Sequence, residues 1–335
     1  MTSNNTVLTD DFGRKHNYLR ISLIEKCNLR CTYCMPADGI VLSPKASLMT
    51  AEEIYAIAQT FVKYGVDKIR LTGGEPTLRK DFPEIIAKLA SLKTEISITT
   101  NGILINKHID LLKQFNVNKI NLSLDTLVAS KFHSITLRDQ FQSVIDNLHL
   151  LLNNDFKIKV NVVLIKGFND DEIIDFITLS EFLPISIRFI EFMPFAGNEW
   201  DRSKMVSQKE ILDQVQHHFP ETDIEKLEDD KNFTAREFRI KNYLGSFGII
   251  SSITNPFCDG CNRIRLTANG KIKNCLFSNS ETDLLTSYRN GEMIEDLIAL
   301  AIKNKKKVRA GMTSNEDVNN PALNQDNRSM IAIGG

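Results

Sequence analysis

Six cysteines stand in two trios: Cys27, Cys31 and Cys34 near the start of the 335-residue chain, and Cys258, Cys261 and Cys275 far down it. Burial as a small hydrophobe explains one stray cysteine, not two groups of three with none left over. Metal ligation explains both groups. A structural zinc takes four ligands, often with histidine as the fourth. His133, His149, His217 and His218 lie far from either trio in sequence, and only His16, eleven residues before Cys27, sits near one. Iron–sulfur clusters take thiolates, usually four. Three per cluster would leave one iron open, as catalytic zinc keeps a position for substrate. Two three-cysteine sites therefore point to two reactive clusters, although spacing alone leaves zinc open at either.

The first trio reads Cys27-Asn28-Leu29-Arg30-Cys31-Thr32-Tyr33-Cys34, a CxxxCxxC pattern with an aromatic before the last cysteine. This resembles the defining motif of the radical S-adenosylmethionine superfamily. That resemblance implies an open iron that chelates the amino and carboxylate groups of the cofactor's methionine. In the second trio, Cys261 and Cys275 flank Arg263-Ile264-Arg265-Leu266-Thr267-Ala268-Asn269-Gly270. Asn-Gly is a strong hairpin signal, and a hairpin brings Cys275 back towards Cys261. Arg263 and Arg265 are two apart on a strand and share a face. A three-residue loop over 268–270 pairs Arg263 with Cys275 and keeps both arginines on the cysteines' side; a two-residue loop turns them away. The three-residue loop is the expectation. Guanidinium forks beside an open iron suit phosphate oxygens.

These residues need elements to carry them. Six apolar, β-branched segments recur at 18–24, 68–72, 95–99, 119–124, 157–165 and 185–192, each ending in a polar or glycine-containing loop. Between them lie helical patterns at 51–64, 82–92, 107–115, 140–152 and 171–182. In the first, Ile54, Ile57, Ala58, Phe61 and Val62 form a stripe at helical spacing. Thr50 and Glu53 fit a capping box, and Gly65 stands past the far end. Strands alternating with helices argue for parallel βα units. Six units are too few for an eightfold barrel, so the expected fold is α/β: an incomplete (β/α)6 TIM-type barrel with a C-terminal α+β segment. In such folds function collects at the C-terminal ends of the strands. There lie the cysteine loop, Gly73-Gly74-Glu75-Pro76, Thr99-Thr100-Asn101-Gly102, Ser123-Leu124-Asp125 and Glu191-Phe192-Met193-Pro194.

After Trp200 the pattern changes. A helix is expected over 209–219, short strands over 233–254 with turns at Asn242 and Gly245, and a helix near 293–305. The basic run 303–309 reads as a solvated helix end, where cations suit the dipole. The polar stretch 313–327 is expected to be loose. The expected division is 1–200, 201–312 and a flexible tail over 313–335 that ends in Gly334-Gly335.

Net charge is −1 and 42% of residues are hydrophobic, so no bulk field draws the chain onto nucleic acid. The N-terminal sequence lacks the basic start and apolar stretch of a signal peptide, and no window approaches ~18 consecutive apolar residues. A cytoplasmic protein without membrane contact is expected, where cysteine serves metal or redox work rather than disulfides.

Nearly end to end, the chain resembles the MoaA-type GTP 3′,8-cyclases of molybdenum cofactor biosynthesis. The resemblance rests on the first trio, the GGEP, TTNG and SLD loops, the segment RFIEFMP, the block NPFCDGCNRIRLTANGKIKNCLFS and the terminal Gly-Gly. It implies two 4Fe–4S clusters, one on Cys27, Cys31 and Cys34, the other on Cys258, Cys261 and Cys275 with guanine on its open iron. It implies S-adenosylmethionine contacts from Tyr33, Gly74, Ser123 and Met193. It implies GTP contacts from Arg20, Arg70, Thr99, Lys159, Arg263 and Arg265, with Arg263 and Arg265 in the catalytic role, and a diglycine that reaches the active site. The implied reaction begins with one-electron cleavage of S-adenosylmethionine to methionine and a 5′-deoxyadenosyl radical. That radical takes hydrogen from C3′ of the ribose, and the C3′ radical attacks C8 of guanine. A homodimer, an unidentified electron donor protein and hand-over of product to a cyclic pyranopterin monophosphate synthase also follow from the resemblance. Lys26, Thr77 and Leu137 depart from residues frequent in the family, but none is a cysteine or a matched arginine. Two other readings compete. A radical peptide-modifying enzyme would carry more than three auxiliary cysteines and fewer phosphate-binding arginines. A zinc-stapled binding module would hold zinc in place of iron.

Overall fold

In a computed structural model of the chain, residues 8–36, 39–229, 232, 234–324 and 327–334 are described. The six expected strands form as β1 (Tyr18–Ser22), β2 (Lys68–Thr72), β3 (Glu95–Thr100), β4 (Lys119–Ser123), β5 (Lys157–Leu164) and β6 (Ile185–Glu191). They pair in parallel, each with the next. Six more follow: β7 (Ile224–Lys226), β8 (Arg236–Ile240), β9 (Ser246–Ile250), β10 (Arg263–Leu266), β11 (Lys271–Lys273) and β12 (Thr282–Asp283). All join one sheet of order β12-β11-β10-β1-β2-β3-β4-β5-β6-β9-β8-β7. The C-terminal part of the chain thus extends both edges of the βα sheet. β10 runs parallel to β1, and β9 parallel to β6.

Helices fill the crossovers: α1 (Ala51–Lys63), α2 (Phe82–Ala90), α3 (Ile109–Gln114), α4 (Ala129–Thr136), α5 (Phe141–Asn153) and α6 (Ile173–Phe182). α1 begins as its sequence requires. The amide of Glu53 donates to the Thr50 hydroxyl and the Thr50 amide to the Glu53 carboxylate, a cap of about 1 kcal/mol. Its Ile54, Ile57, Ala58 and Phe61 are fully buried. They join a single core with the outward residues of the strands, among them Leu19, Ile21, Ile69, Leu71, Ile98 and Ile120. Each such side chain contributes about 1.5–3 kcal/mol.

The remaining helices are α7 (Gln208–His218), α8 (Leu285–Arg289), α9 (Glu295–Lys303), α10 (Asn315–Asn319), α11 (Pro321–Asn324) and α12 (Met330–Ile333). The last three lie in the tail expected to be loose. A polar composition does not reveal partners supplied from elsewhere: Val318, Ile331 and Ile333 are buried, and Asn279 and Leu276 exchange hydrogen bonds with Leu323 and Asn327. The basic run is likewise not simply solvated, because Lys305 and Arg309 are buried. Gly335 and Phe233, named in the sequence expectations, lie outside the described residues. Among the described residues no helix is long and apolar enough to cross a membrane.

Candidate active site

Successive residues of a strand point to opposite faces, and this alternation sorts the sheet. On β1, Leu19 and Ile21 enter the core, leaving Tyr18, Arg20 and Ser22 for the other face. On β2 the same division leaves Lys68, Arg70 and Thr72. Register aligns the arginines: Arg20 pairs with Arg265 on one side and with Arg70 on the other. Arg263 stands beside Tyr18. The face continues through Ser97, to whose hydroxyl Arg70 Nε donates at 3.2 Å, and Thr99. It then passes to Asn121, which pairs with Thr99 and with Lys159. All six expected GTP residues thus occupy one polar face.

Four of them form a close electrostatic group. Burial holds Arg20 well below the ordinary guanidinium range, and Arg265, Arg70 and Arg263 push it further. Arg265 falls from 12.5 to about 10, through burial first and Arg263 next. Guanidinium does not deprotonate in proteins, so these shifts express the cost of burying neighbouring cations together. Lys159 is set apart, where it interacts with Glu237. Glu237 forms an ion pair with Arg188, and Gly248 leaves room for both: a Cβ there would stand 2.9 Å from Glu237 Oε2 and 3.2 Å from Arg188 Nη1. The Thr99 and Ser22 hydroxyls and Arg263 Nη2 are buried on this face without a hydrogen-bond partner.

The first trio sits in the loop after β1. Amides of Arg30 and Thr32 donate to the carbonyls of Thr136 and Ile135, fixing the loop to the end of α4. The GGEP loop is laced to the strand leading into Cys27: Gly74 N–H donates to Ile24 O and Glu75 N–H to Lys26 O. A Cβ on Gly74 would stand 2.3 Å from Lys26 O, so only glycine permits this approach. Glu75 is buried and binds the loops together, accepting from Thr77 and Thr100 on one oxygen and from the Asn101 amide on the other. Asn101 Nδ2 in turn reaches Cys27 Sγ at 3.7 Å. Tyr33 O–H donates to Asp125 at 2.7 Å, and burial raises Asp125 to about 6. Burial, then Glu75, lifts Cys27 to about 11. Burial, then Cys27 and Asp125, lifts Cys34 to about 12. Cys31 is likewise raised, by burial and then by Asp125, Cys34 and Cys27. Thiols in this setting become thiolates only against a strong cation, which is what a metal cluster supplies. Ser123 closes β4 beside Asn161. Met193 packs against a small apolar cluster of Met205, Ile253, Phe277, Met312 and Val318, as do Trp200 and Cys275.

The second trio follows the expected hairpin. β10 and β11 pair Arg265 with Lys273, and continuing that register by two residues brings Arg263 opposite Cys275. Thr267 and Lys271 close a loop over 268–270, with Gly270 at φ +70°. Arg265 interacts with Cys275 and Cys261, so the arginines do share the cysteines' side. Burial raises Cys261, but Lys305 and then Arg263 outweigh it and bring the thiol down to about 6. Cys258 is raised by burial. His16 does not serve the first trio: it is buried and bonds Asp10 at 3.0 Å. Among the described residues no three His, Cys, Asp or Glu side chains converge tightly enough for a single ion. The thiols of the first trio nonetheless feel one another's charge, as those of the second do. The tail links the two regions. The Ile331 amide reaches Cys34, and Gly334 O accepts from Arg265 Nη1 at 2.7 Å. A Cβ on Gly334 would stand 2.3 Å from Thr72 Oγ1.

Sequence reasoning passed over Glu75, Asn101, Asp125, Arg188 and Lys305. The first three lie inside the loops it singled out, so strand-end placement was the available signal. Nothing local marks Lys305.

Comparison with known proteins bears on this arrangement. Residues 21–179 match the Radical SAM superfamily, and residues 185–310 match Molybdenum Cofactor Synthesis C. The chain is 47% identical over 333 residues to molybdenum cofactor biosynthesis protein 1 of Mus musculus, covering 98% of this chain and 51% of that protein. It spans about half the length of that relative and of its Bos taurus and Homo sapiens counterparts. The mitochondrial GTP 3′,8-cyclase of Arabidopsis thaliana is 46% identical, covering 98% of this chain and 84% of that one. The GTP 3′,8-cyclase of Peptoclostridium acidaminophilum is 41% identical, covering 91% and 94%. Among solved structures, Streptococcus suis SuiB bound to S-adenosylmethionine superposes at TM-score 0.61 and 17% identity, over 81% of this chain and 65% of that one; the likeness is one of fold. With relatives this similar over nearly their whole length, the chain belongs to the GTP 3′,8-cyclase family.

Proposed function

We propose that this chain is a radical S-adenosylmethionine enzyme that converts GTP to (8S)-3′,8-cyclo-7,8-dihydroguanosine 5′-triphosphate, the first step of molybdenum cofactor biosynthesis. The observation that carries the reading is the row Arg265–Arg20–Arg70, with Arg263 beside it, crowded on one face next to the second cysteine trio. Four guanidinium groups crowded on one polar face suit a triphosphate.

Cys27, Cys31 and Cys34 would hold a 4Fe–4S cluster, and Tyr33, Gly74, Ser123 and Met193 would hold S-adenosylmethionine. Cys258, Cys261 and Cys275 would hold a second 4Fe–4S cluster at the guanine. The buried thiols, raised for want of a cation, support the first assignment. When bound, the first cluster and S-adenosylmethionine supply the one-electron chemistry that abstracts hydrogen from C3′. The protein's part is to bind, orient and keep water away. Arg20, Arg70, Arg263 and Arg265 would grip phosphate, with Lys159 further along the face. Thr99 and Ser22 have hydroxyls to offer. Asp125 holds Tyr33 in place.

The sheet would wrap as an incomplete (β/α)6 barrel around this face. A hydrogen bond from Arg263 of β10 to Thr234, just before β8, supports it, because those strands stand near opposite ends of the strand order. The proposed division near residue 200 falls inside the second family match, which runs over 185–310 after the first ends at 179. Cytoplasmic location, a homodimer and transfer of product to a cyclic pyranopterin monophosphate synthase belong to the same reading.

The test is anaerobic reconstitution followed by incubation with reductant, S-adenosylmethionine and GTP, with products read by mass spectrometry. Cofactor cleavage without a GTP-derived cyclic product would sink the proposal. Arg263→Ala is expected to raise the GTP Michaelis constant while cofactor cleavage without GTP survives.

A further inference from the structure

Lys305 follows α9 in the basic run, yet it is 3% exposed. Its ammonium donates to Cys261 Sγ at 3.4 Å and to the carbonyl of Arg263 at 2.8 Å. Among the described residues no carboxylate lies within ion-pair distance of it. A buried ammonium is strongly disfavoured unless an anion answers it, and the one formal anion that these contacts offer is a Cys261 thiolate.

The backbone around Lys305 is held for this purpose. Arg14 is buried, and its Nη1 donates at 2.8 Å both to Cys258 O and to Lys307 O, while its Nη2 donates to Lys306 O at 2.9 Å. Asp10 anchors Arg14 Nε at 2.6 Å and His16 Nε2 at 3.0 Å through the same oxygen. One buried clamp therefore fixes the loop of Cys258 and the two residues after Lys305 together. The first trio is surrounded differently, with Arg30 only a minor opposing charge on Cys27. Neutral donors, the Leu29 amide and the Asn101 side chain, reach Cys27, and the carboxylates Glu75 and Asp125 bear on its thiols.

We propose that Lys305 is a positioning residue of the second trio: a built-in counter-charge that keeps Cys261 as a cluster ligand and raises the reduction potential of the second cluster above that of the first. A cation hydrogen-bonded to a ligand sulfur stabilises the more negative, reduced state. This rests on the two-cluster reading. It gives the clusters different tasks, because the acidic first site keeps the stronger reductant, whereas the second cluster, more easily reduced, is too weak a donor to cleave the cofactor itself.

The test compares wild type, Lys305→Met and Lys305→Arg, each reconstituted anaerobically. Iron is counted, and the two midpoint potentials are followed by electron paramagnetic resonance during redox titration. Expected are about eight irons per wild-type chain, a more negative second midpoint in Lys305→Met with the first unmoved, and near-wild-type behaviour in Lys305→Arg. Loss of about half the iron in Lys305→Met, restored in Lys305→Arg, also supports the counter-charge. Loss in both variants, an unchanged second midpoint, or equal shifts of both midpoints overturns it. About four irons in wild type overturns the two-cluster reading, and the proposal with it.

Discussion

Removing one cation from the arginine row is expected to stabilise the substrate-free protein while weakening its hold on GTP. Arg265→Met keeps most of the side-chain volume and deletes the charge. Folding depresses the Arg265 guanidinium from 12.5 to about 10. At 1.36 kcal/mol per pKa unit that is about 3 kcal/mol of burial and repulsion borne by the charged folded form. The substitution also strips Gly334 O of its donor at 2.7 Å, which costs about 1–2 kcal/mol for a buried carbonyl. The balance is a gain of roughly 1 kcal/mol, or about 2 °C in the unfolding midpoint of a chain this long. With GTP present the order reverses, because charge-assisted bonds to phosphate contribute about 1.5–3 kcal/mol each. Affinity should fall about 10–100-fold. The assay is anaerobic thermal unfolding with and without GTP, alongside calorimetric GTP binding. A variant less stable than wild type without nucleotide, and equally stabilised by GTP, refutes the claim that the row is a strained cluster of cations that binds phosphate.

Three further outcomes follow from particular contacts. His16 is held at about 3, below its ordinary 6.5, by burial and then by Lys305. The unfolded chain therefore binds a proton that the folded chain refuses between those values, and stability falls as pH drops through 6.5. The loss by pH 5 is about 2 kcal/mol; urea unfolding at pH 7.5 and pH 5 should show it, and His16→Gln should flatten it. Gly74→Ala forces a Cβ to 2.3 Å from Lys26 O and should displace the Cys27 loop, cutting iron to about half that of wild type; full iron content would contradict the packing argument. Arg328 grips Glu281 in a bidentate pair that fastens the tail. Arg328→Glu or Glu281→Arg alone should speed proteolytic removal of the tail several-fold, an effect expected from loss of about 1 kcal/mol, and the double swap should restore protection.

Much of this site is legible in the sequence because its physics is local. Period-2 alternation marks β1 to β6 and places Arg20 and Arg70 opposite Leu19 and Leu71. The Asn269-Gly270 turn sets the hairpin register and with it the side on which Arg263 and Arg265 stand. Short or long-range features are hidden. β7 has three residues, too few for a period, and α4 shows no clear stripe. Lys305 reads as solvated because its partners, Cys261 and the Arg14 clamp, lie 44 and 291 residues away in sequence. The polar tail misleads for the same reason. Its anchors, Leu276 and Glu281, come from another part of the chain, and composition cannot report a partner it does not contain.

The placement of β10 against β1 has a consequence for how the molecule is made. Residues that pair there, such as Arg20 with Arg265, leave the ribosome 245 residues apart. Until β10 emerges, β1 presents a bare strand edge, a template for wrong pairing. Closure of so long a loop is slow. The nascent chain must therefore wait, with one edge unprotected and its first thiols already in place, before the two cysteine groups can be joined in one sheet. Chaperone protection and late metal loading are the natural companions of this topology.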